Sequence, residues 1–262
     1  VKDIKVYSWV ELNELVFEGS WQEPLKRFRS NYVYRGLSDT SYQLKTSLMR
    51  LEGLYGTLEN HILRNFRKYA HMDAVSGDSI WNWLAVAQHH GLPTRLLDWT
   101  FSPYVAMHFA TANLEKFDID GVIWSVDYVA AHKYLPASLR EILEWEGANG
   151  FTVEMLSRAA ASLPEFDGLS NDDFVVFFEP PSLDDRIINQ YALFSMISSN
   201  GALLDNWLVD HPDIFYKIII PPDLKWEIRD KLDQANITER VMFPGLDGLS
   251  RWLKRHYSPS RK

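Results

Sequence analysis

The chain has 262 residues, a net charge of −8 and no cysteine. A chain of this length buries roughly 75% of the surface it exposes when unfolded, so a single domain can stand without covalent staples. The missing thiols exclude a disulfide scaffold, cysteine-ligated zinc or iron–sulfur centres and a thiol nucleophile, and the acidic balance, with a pI near 5.5, sets the long-range field against nucleic acid as an electrostatic partner.

No apolar run approaches the ~20 residues of a membrane span, and Val1-Lys2-Asp3-Ile4-Lys5 lacks the apolar core of a signal peptide, so we expect a soluble, cytoplasmic protein with no membrane partner. Residues 1–262 read as one domain, because no repeat or Gly/Ser/Pro-rich linker divides them. Residues 1–30 form a helical N-terminal lead-in, in which Ser8-Trp9-Val10-Glu11 resembles a capping box. A short strand over 31–34 leads into Arg35-Gly36. Helices follow over 59–70, with Ile62, Phe66 and Ala70 on one face, and over 81–90, ended by Gly91 and Pro93. A third helix over 103–113 has Ser102 as its N-cap and Pro103 at its first position. Strands are expected over 122–126, 174–178, 187–197 and 216–220, with mixed helix and loop over 130–170 as a variable insertion. A helix over 222–235, a short strand over 241–243 and a closing helix over 246–256 complete the chain, followed by a basic, frayed tail at 258–262. Separated strands and helices without a regular βαβ alternation predict an α+β fold.

Three segments hold the chemistry. The densest is Gln88-His89-His90-Gly91-Leu92-Pro93-Thr94-Arg95-Leu96-Leu97-Asp98-Trp99-Thr100, running on to Ser102-Pro103 between two helices. Binding groups concentrate on loops held by rigid elements. The structural alternative pairs Arg95 with Asp98 and leaves Thr100 or Ser102 to cap the next helix. His89 and His90 diverge by about 100° on a helix and no His-x-x-x-His spacing is present, which argues against a metal site; His89 as a satisfied core histidine stays open. The second segment is Tyr34-Arg35-Gly36, where an Arg at a strand end, followed by a Gly that lets the backbone turn, can grip a phosphate or carboxylate bidentately. The third is Arg186-Ile187-Ile188-Asn189-Gln190, in which strand alternation puts Arg186, Ile188 and Gln190 on one face. Glu179, before Pro180-Pro181, is a further carboxylate at a strand end.

Together these segments resemble the FRG domain family over roughly residues 30–200. The aromatic-Arg-Gly motif stands as Tyr34-Arg35-Gly36, the middle signature as 88–100 with Ser102-Pro103, Val105-Ala106 and Phe109-Ala110, and the third as Arg186-Ile187-Ile188-Asn189-Gln190-Tyr191-Ala192-Leu193-Phe194. Two positions depart from the pattern: Leu37 stands where Gln is common, and Ala192 where the third signature has Gly. The motif order is similar to that of ADP-ribosyltransferases of the Arg, Ser-Thr-Ser, Glu type. That resemblance implies a mixed, split β-sheet core flanked by helices, with NAD as the bound cofactor. It implies Arg35, Asp98 and Gln190 as catalytic, and Tyr34, Arg35, His89, Arg95, Trp99, Thr100, Ser102 and Arg186 as cofactor-binding. In it Arg35 grips the pyrophosphate, Tyr34 or Trp99 stacks on a ring, and Gln190 falls near the position of the catalytic Glu. The implied function is transfer to a macromolecular target, as in a toxin or phage-defence effector with an antitoxin partner; the alternative is a non-catalytic module that binds a nucleotide or a partner. Transfer passes through an oxocarbenium-like cation that needs a neighbouring anion. Gln190 is neutral, so either Asp98 or Glu179 supplies that charge, or the site binds without turnover.

Overall fold

A computed structural model describes residues 2–70, 77–182 and 184–259. Its strands are β1 (Lys2–Lys5), β2 (Trp21–Gln22), β3 (Arg27–Phe28), β4 (Tyr32–Leu37), β5 (Leu97–Thr100), β6 (Gly121–Asp127), β7 (Phe151–Thr152), β8 (Val175–Glu179), β9 (Ala192–Ile197) and β10 (Phe215–Ile220). The helices are α1 (Trp9–Phe17), α2 (Tyr55–Ala70), α3 (Ile80–His89), α4 (Pro103–Ala110), α5 (Tyr128–Ala131), α6 (Ala137–Glu146), α7 (Val153–Ala159), α8 (Leu163–Asp167), α9 (Asp185–Asn189), α10 (Leu204–Asp210), α11 (Pro222–Gln234), α12 (Glu239–Met242) and α13 (Leu246–His256). The fold is α+β, as expected. Among the described residues no helix is long and apolar enough to cross a membrane.

Eight strands form one mixed sheet in the order β1-β10-β6-β4-β5-β9-β8-β7, and β2 and β3 form a separate ribbon. The outermost pairs, β1 with β10 and β7 with β8, are parallel; every other pairing in the sheet is antiparallel. Strands β4 and β6 pair over six residues, but β4 and β5 share the single register pair Tyr34–Thr100. The sheet is therefore split at its centre, and the candidate site opens at that split.

Apolar residues on both faces explain why the strands read as near-continuous hydrophobic runs. In β8, Val176 and Phe178 face a core built with α2, α3, α6, α7 and α8, whereas Val175 and Phe177 face an inner core shared with Trp99, Trp124 and Trp207. In β6, Val122, Trp124 and Val126 join the inner core while Ile123 joins a third core under α1, α4 and α11. Each half-sheet thus has its own outer helical layer, and the two halves share the inner core.

The structure differs from the sequence reading in several places. The lead-in over 1–30 is not wholly helical: β1 pairs with β10, and β2 and β3 form a hairpin. Strand β1 reads as polar because it is an edge strand with three of its four residues exposed. At α1, the Ser8 hydroxyl accepts from the Glu11 N–H as a cap should, but the Glu11 carboxylate accepts from the Tyr7 N–H at 2.7 Å instead of closing the box on Ser8. The segment 187–197 is not one strand. The Asp184 carboxylate accepts from the N–H groups of Arg186 and Ile187 and starts α9; Tyr191, at φ 47°, then turns the chain into β9. Residues 241–243 belong to α12 and its C-cap, because the Thr238 hydroxyl caps that helix. The stretch 97–100, read as loop, is the central strand β5, and residues 130–170 contribute α6 to α8 and the edge strand β7 to the core that also holds α2 and α3. Of the tail, residues 260–262 lie outside the described residues.

Candidate functional site

A cavity of about 590 Å³ opens where β4 and β5 part, within the roughly 300–1,000 Å³ typical of small-molecule sites. Strand β4 contributes Arg35 and Gly36, β5 contributes Asp98 and Thr100, and α9 contributes Arg186 from its first turn, with Gln190 at its C-cap. Three stretches far apart in sequence therefore converge on one concave surface.

Gly36 makes the convergence possible. It lies inside β4 with no positive φ, so it does not serve a turn. A Cβ there would meet the Ala106 carbonyl oxygen at 1.9 Å and the Ala110 nitrogen at 2.7 Å, so only Gly lets α4 approach β4 this closely.

Arg35 is largely buried. One of its terminal N–H groups donates to the Asp98 carbonyl, the same nitrogen lies 3.9 Å from the Asp98 carboxylate, and its Nε is buried with no acceptor among the described residues. Burial pulls its pKa down, the Asp98 charge opposes that, and Arg50 adds to it. A buried cation with an unused donor is costly unless a further anion arrives. Arg50, from the 3-10 turn Met49–Leu51, and Arg186 line the same cavity. The Arg186 guanidinium lies over the Phe243 ring at 5.2 Å, which steadies its plane while leaving its edge N–H donors available. Three guanidiniums face a single carboxylate, Asp98, giving the cavity a local surplus of positive charge inside an acidic protein.

Asp98 is solvated, with its side chain 57% exposed, and is steadied by a relay. The Leu96 N–H donates to the Thr94 hydroxyl, that hydroxyl donates to the Gln88 amide oxygen, and the Gln88 amide nitrogen donates to Asp98 at 3.0 Å. Gln190 is held equally firmly. Its side-chain amide nitrogen donates to the Met242 carbonyl at 2.8 Å, and its main-chain carbonyl accepts from the Thr100 hydroxyl at 2.7 Å. Thr100 is thus a clamp between β5 and α9 at the cavity wall.

Other residues singled out in the sequence lie elsewhere. Arg95 does not pair with Asp98 and is not in the cavity: it is buried and bonded to Glu59, Asp167 and the Ser198 carbonyl, tying α2, α8 and the end of β9 together. Tyr34 and Trp99 border the cavity but do not offer free rings. The Tyr34 hydroxyl donates to the Val16 carbonyl in the third core, and the Trp99 indole donates to Ser195 and packs on Phe177 in the inner core. Ser102 caps α4 and lies outside the cavity. Glu179, at the end of β8, is also outside it, beside Tyr128. His89 lines a neighbouring cavity, against Asp184. No group of His, Asp and Glu among the described residues is arranged to hold a metal ion.

Sequence reasoning missed Arg50, Tyr42 and Asn113, and gave Phe109 of the middle signature no role, yet all four line the cavity. Arg50 lies in no recognisable motif; only the docking of its turn, through the Leu48 N–H on the Thr94 carbonyl, brings it beside Arg35. Tyr42 and Phe109 are the aromatic rings available to a ligand there.

The FRG domain family model matches residues 30–119. That span includes Tyr34-Arg35-Gly36, Asp98 and α4, and it excludes Arg186 and Gln190. No curated protein and no solved structure matches the chain.

Proposed function

We propose that this chain, which carries an FRG domain, binds a dinucleotide of the NAD class in the cavity at the β4–β5 split and transfers its ADP-ribosyl group to a macromolecule. The observation that carries this reading is the meeting of Arg35, Arg50 and Arg186 around one carboxylate, Asp98. Guanidiniums match phosphate oxygens bidentately, and the spare Nε–H of Arg35 needs an acceptor. The pyrophosphate is assigned to the arginines, and Tyr42 and Phe109 offer faces to a heterocyclic ring. In the transfer the ribose–nicotinamide bond breaks, its electron pair leaves with neutral nicotinamide, and the acceptor bonds to the ribose carbon and loses a proton. The cationic sugar between those events is stabilised by an anion, and Asp98 is the carboxylate at hand. An effector of the toxin or phage-defence kind, held in check by an antitoxin partner, is the cellular role such a transfer fits.

Calorimetry with NAD, ADP-ribose and inorganic pyrophosphate, together with chromatography for released nicotinamide, tests the proposal. Arg35→Ala and Arg50→Ala are each expected to weaken NAD binding by about 10- to 100-fold, the scale of a charge-assisted contact. Asp98→Asn should keep NAD affinity and lose nicotinamide release. Absence of NAD binding by the folded wild-type protein would overturn the proposal. A second reading, a binding module without turnover, is favoured by Gln190, whose neutral amide is tied to the Met242 carbonyl and brings no charge. It requires tight nucleotide binding with no nicotinamide released.

A further inference from the structure

A second cavity of about 690 Å³ shares Arg186 with the first and is lined by Gln88, His89, His90, Asp184, Asp247 and Arg251 among others. Two connections join it to the first. Arg186 lines both cavities, and Gln88, in the wall of the second, donates to Asp98 in the first. The Phe243 ring, with Arg186 at 5.2 Å and Arg251 at 5.5 Å, also lines the second cavity.

His89 is the chemically distinctive group there. It is the last residue of α3, and its side chain is only 10% exposed. Its Nε2 lies 2.9 Å from the Asp184 carboxylate, while Nδ1 has no protein partner among the described residues. A carboxylate on one ring nitrogen fixes the proton there and leaves the other nitrogen as a base, the arrangement that orients imidazoles in acyl-transfer enzymes. Asp184 is itself rigid, because its other oxygen caps α9 at Arg186 and Ile187.

We infer that this second cavity receives the acceptor of the transfer, that the acceptor is a hydroxyl, and that His89 is the general base that takes its proton. The inference rests on the proposed reaction. As the acceptor oxygen bonds to the ribose carbon, its proton passes to His89 Nδ1; the imidazolium is balanced by Asp184 and returns the proton to water. Burial lowers the His89 pKa, Asp184 raises it, and Arg186 and His90 lower it, a balance that keeps the ring neutral at neutral pH; Asp185, Asp247 and Arg251 are the other charged groups around the cavity. A neutral imidazole suits a hydroxyl, whereas a guanidinium holds its proton far above the imidazole range.

The test uses the full chain with NAD and two small acceptors, methanol and agmatine, and follows nicotinamide and the ADP-ribosyl products. Wild type is expected to form methyl ADP-ribose. His89→Gln should lower that rate at least about 100-fold with the NAD dissociation constant unchanged. Asp184→Asn keeps a good helix cap and removes the charge, so it should move the acid limb of the pH–rate profile to lower pH, a shift that a purely structural Asp184 would not cause. If His89→Gln fails to fold, Asp184→Asn carries the test alone. Methanol transfer unaffected by His89→Gln, an acid limb unmoved in Asp184→Asn, or transfer to agmatine alone, sinks this inference and leaves the proposed reaction standing. A wild-type protein that cleaves no NAD overturns both, and that outcome is distinct from the others.

Discussion

Arg35 and Arg95 are the same residue type in one fold with opposite uses, and hydrogen-bond accounting separates them. Arg95 has all its donors directed at Glu59, Asp167 and the Ser198 carbonyl, so nothing is left for a ligand. Arg35 has a buried Nε with no acceptor among the described residues and a carboxylate 3.9 Å away, so it has capacity to spare. Arg95→Met should therefore leave Glu59, itself 4% exposed, as a buried unpaired charge. Urea unfolding is expected to show a loss of about 3–5 kcal/mol, with no effect on ligand affinity in whatever fraction remains folded. A loss below about 1 kcal/mol would mean that the cluster is solvated in solution.

At the scale of elements, the site depends on how closely α4 lies against β4. The Ala106 and Ala110 backbone atoms that a Cβ at position 36 would strike belong to the helix itself and cannot swing aside. Gly36→Ala should cost at least about 3 kcal/mol, the upper end for overpacking, and should disturb Arg35 and Leu37 on either side. A melting temperature equal to wild type would show that β4 and α4 separate more easily than this geometry allows. The turn from α9 into β9 sets the other wall. Tyr191 takes the left-handed backbone conformation while Ala192 lies in regular strand, so the Gly expected at 192 is not needed for a turn in this chain.

Across the whole molecule, buried histidines tie separate layers together in their neutral form. His132 Nδ1 donates to the Asn149 carbonyl and Nε2 accepts from the Phe177 N–H, which fastens the 130–150 region to β8. Burial takes its pKa down to about 4. His108 accepts from Arg229 between α4 and α11, and burial beside that guanidinium takes its pKa down to about 3. In the unfolded chain both titrate near the ordinary 6.5, so between those values the unfolded state binds protons that the native state refuses. Their contribution is complete above about pH 6.5 and is lost as the pH falls toward 4 and 3. For His132 alone the loss is on the order of 3 kcal/mol. Glu239 adds to the trend: although burial alone would raise its pKa, Arg255 and Arg229 hold it down to about 2, so its contribution fades as pH drops below the usual carboxylate range. Denaturant midpoints measured from pH 8 to pH 4 should fall on the acid side, and His132→Gln should flatten the curve. A midpoint independent of pH would contradict the burial of both rings.

What the sequence determined by itself is local. The helices α3 and α4, each capped by a serine, the amphipathic helices α11 and α13, the aliphatic strands β6 and β8, and the Arg35 and Asp98 segments are legible because capping residues, periodicity and turn signals act between neighbours in the chain. Tertiary structure decided the rest. Strand β5 is four residues long with Asp98 exposed and Thr100 clamped, and it carries no alternation strong enough to mark it as the strand joining the two half-sheets. Arg50 becomes a cavity residue only when its turn docks on Thr94, and Arg95 becomes structural only because Glu59 and Asp167 arrive from distant helices. A charged side chain has the same local sequence signature whether its partner is protein, ligand or water, and that partner is fixed by contacts formed across the whole chain.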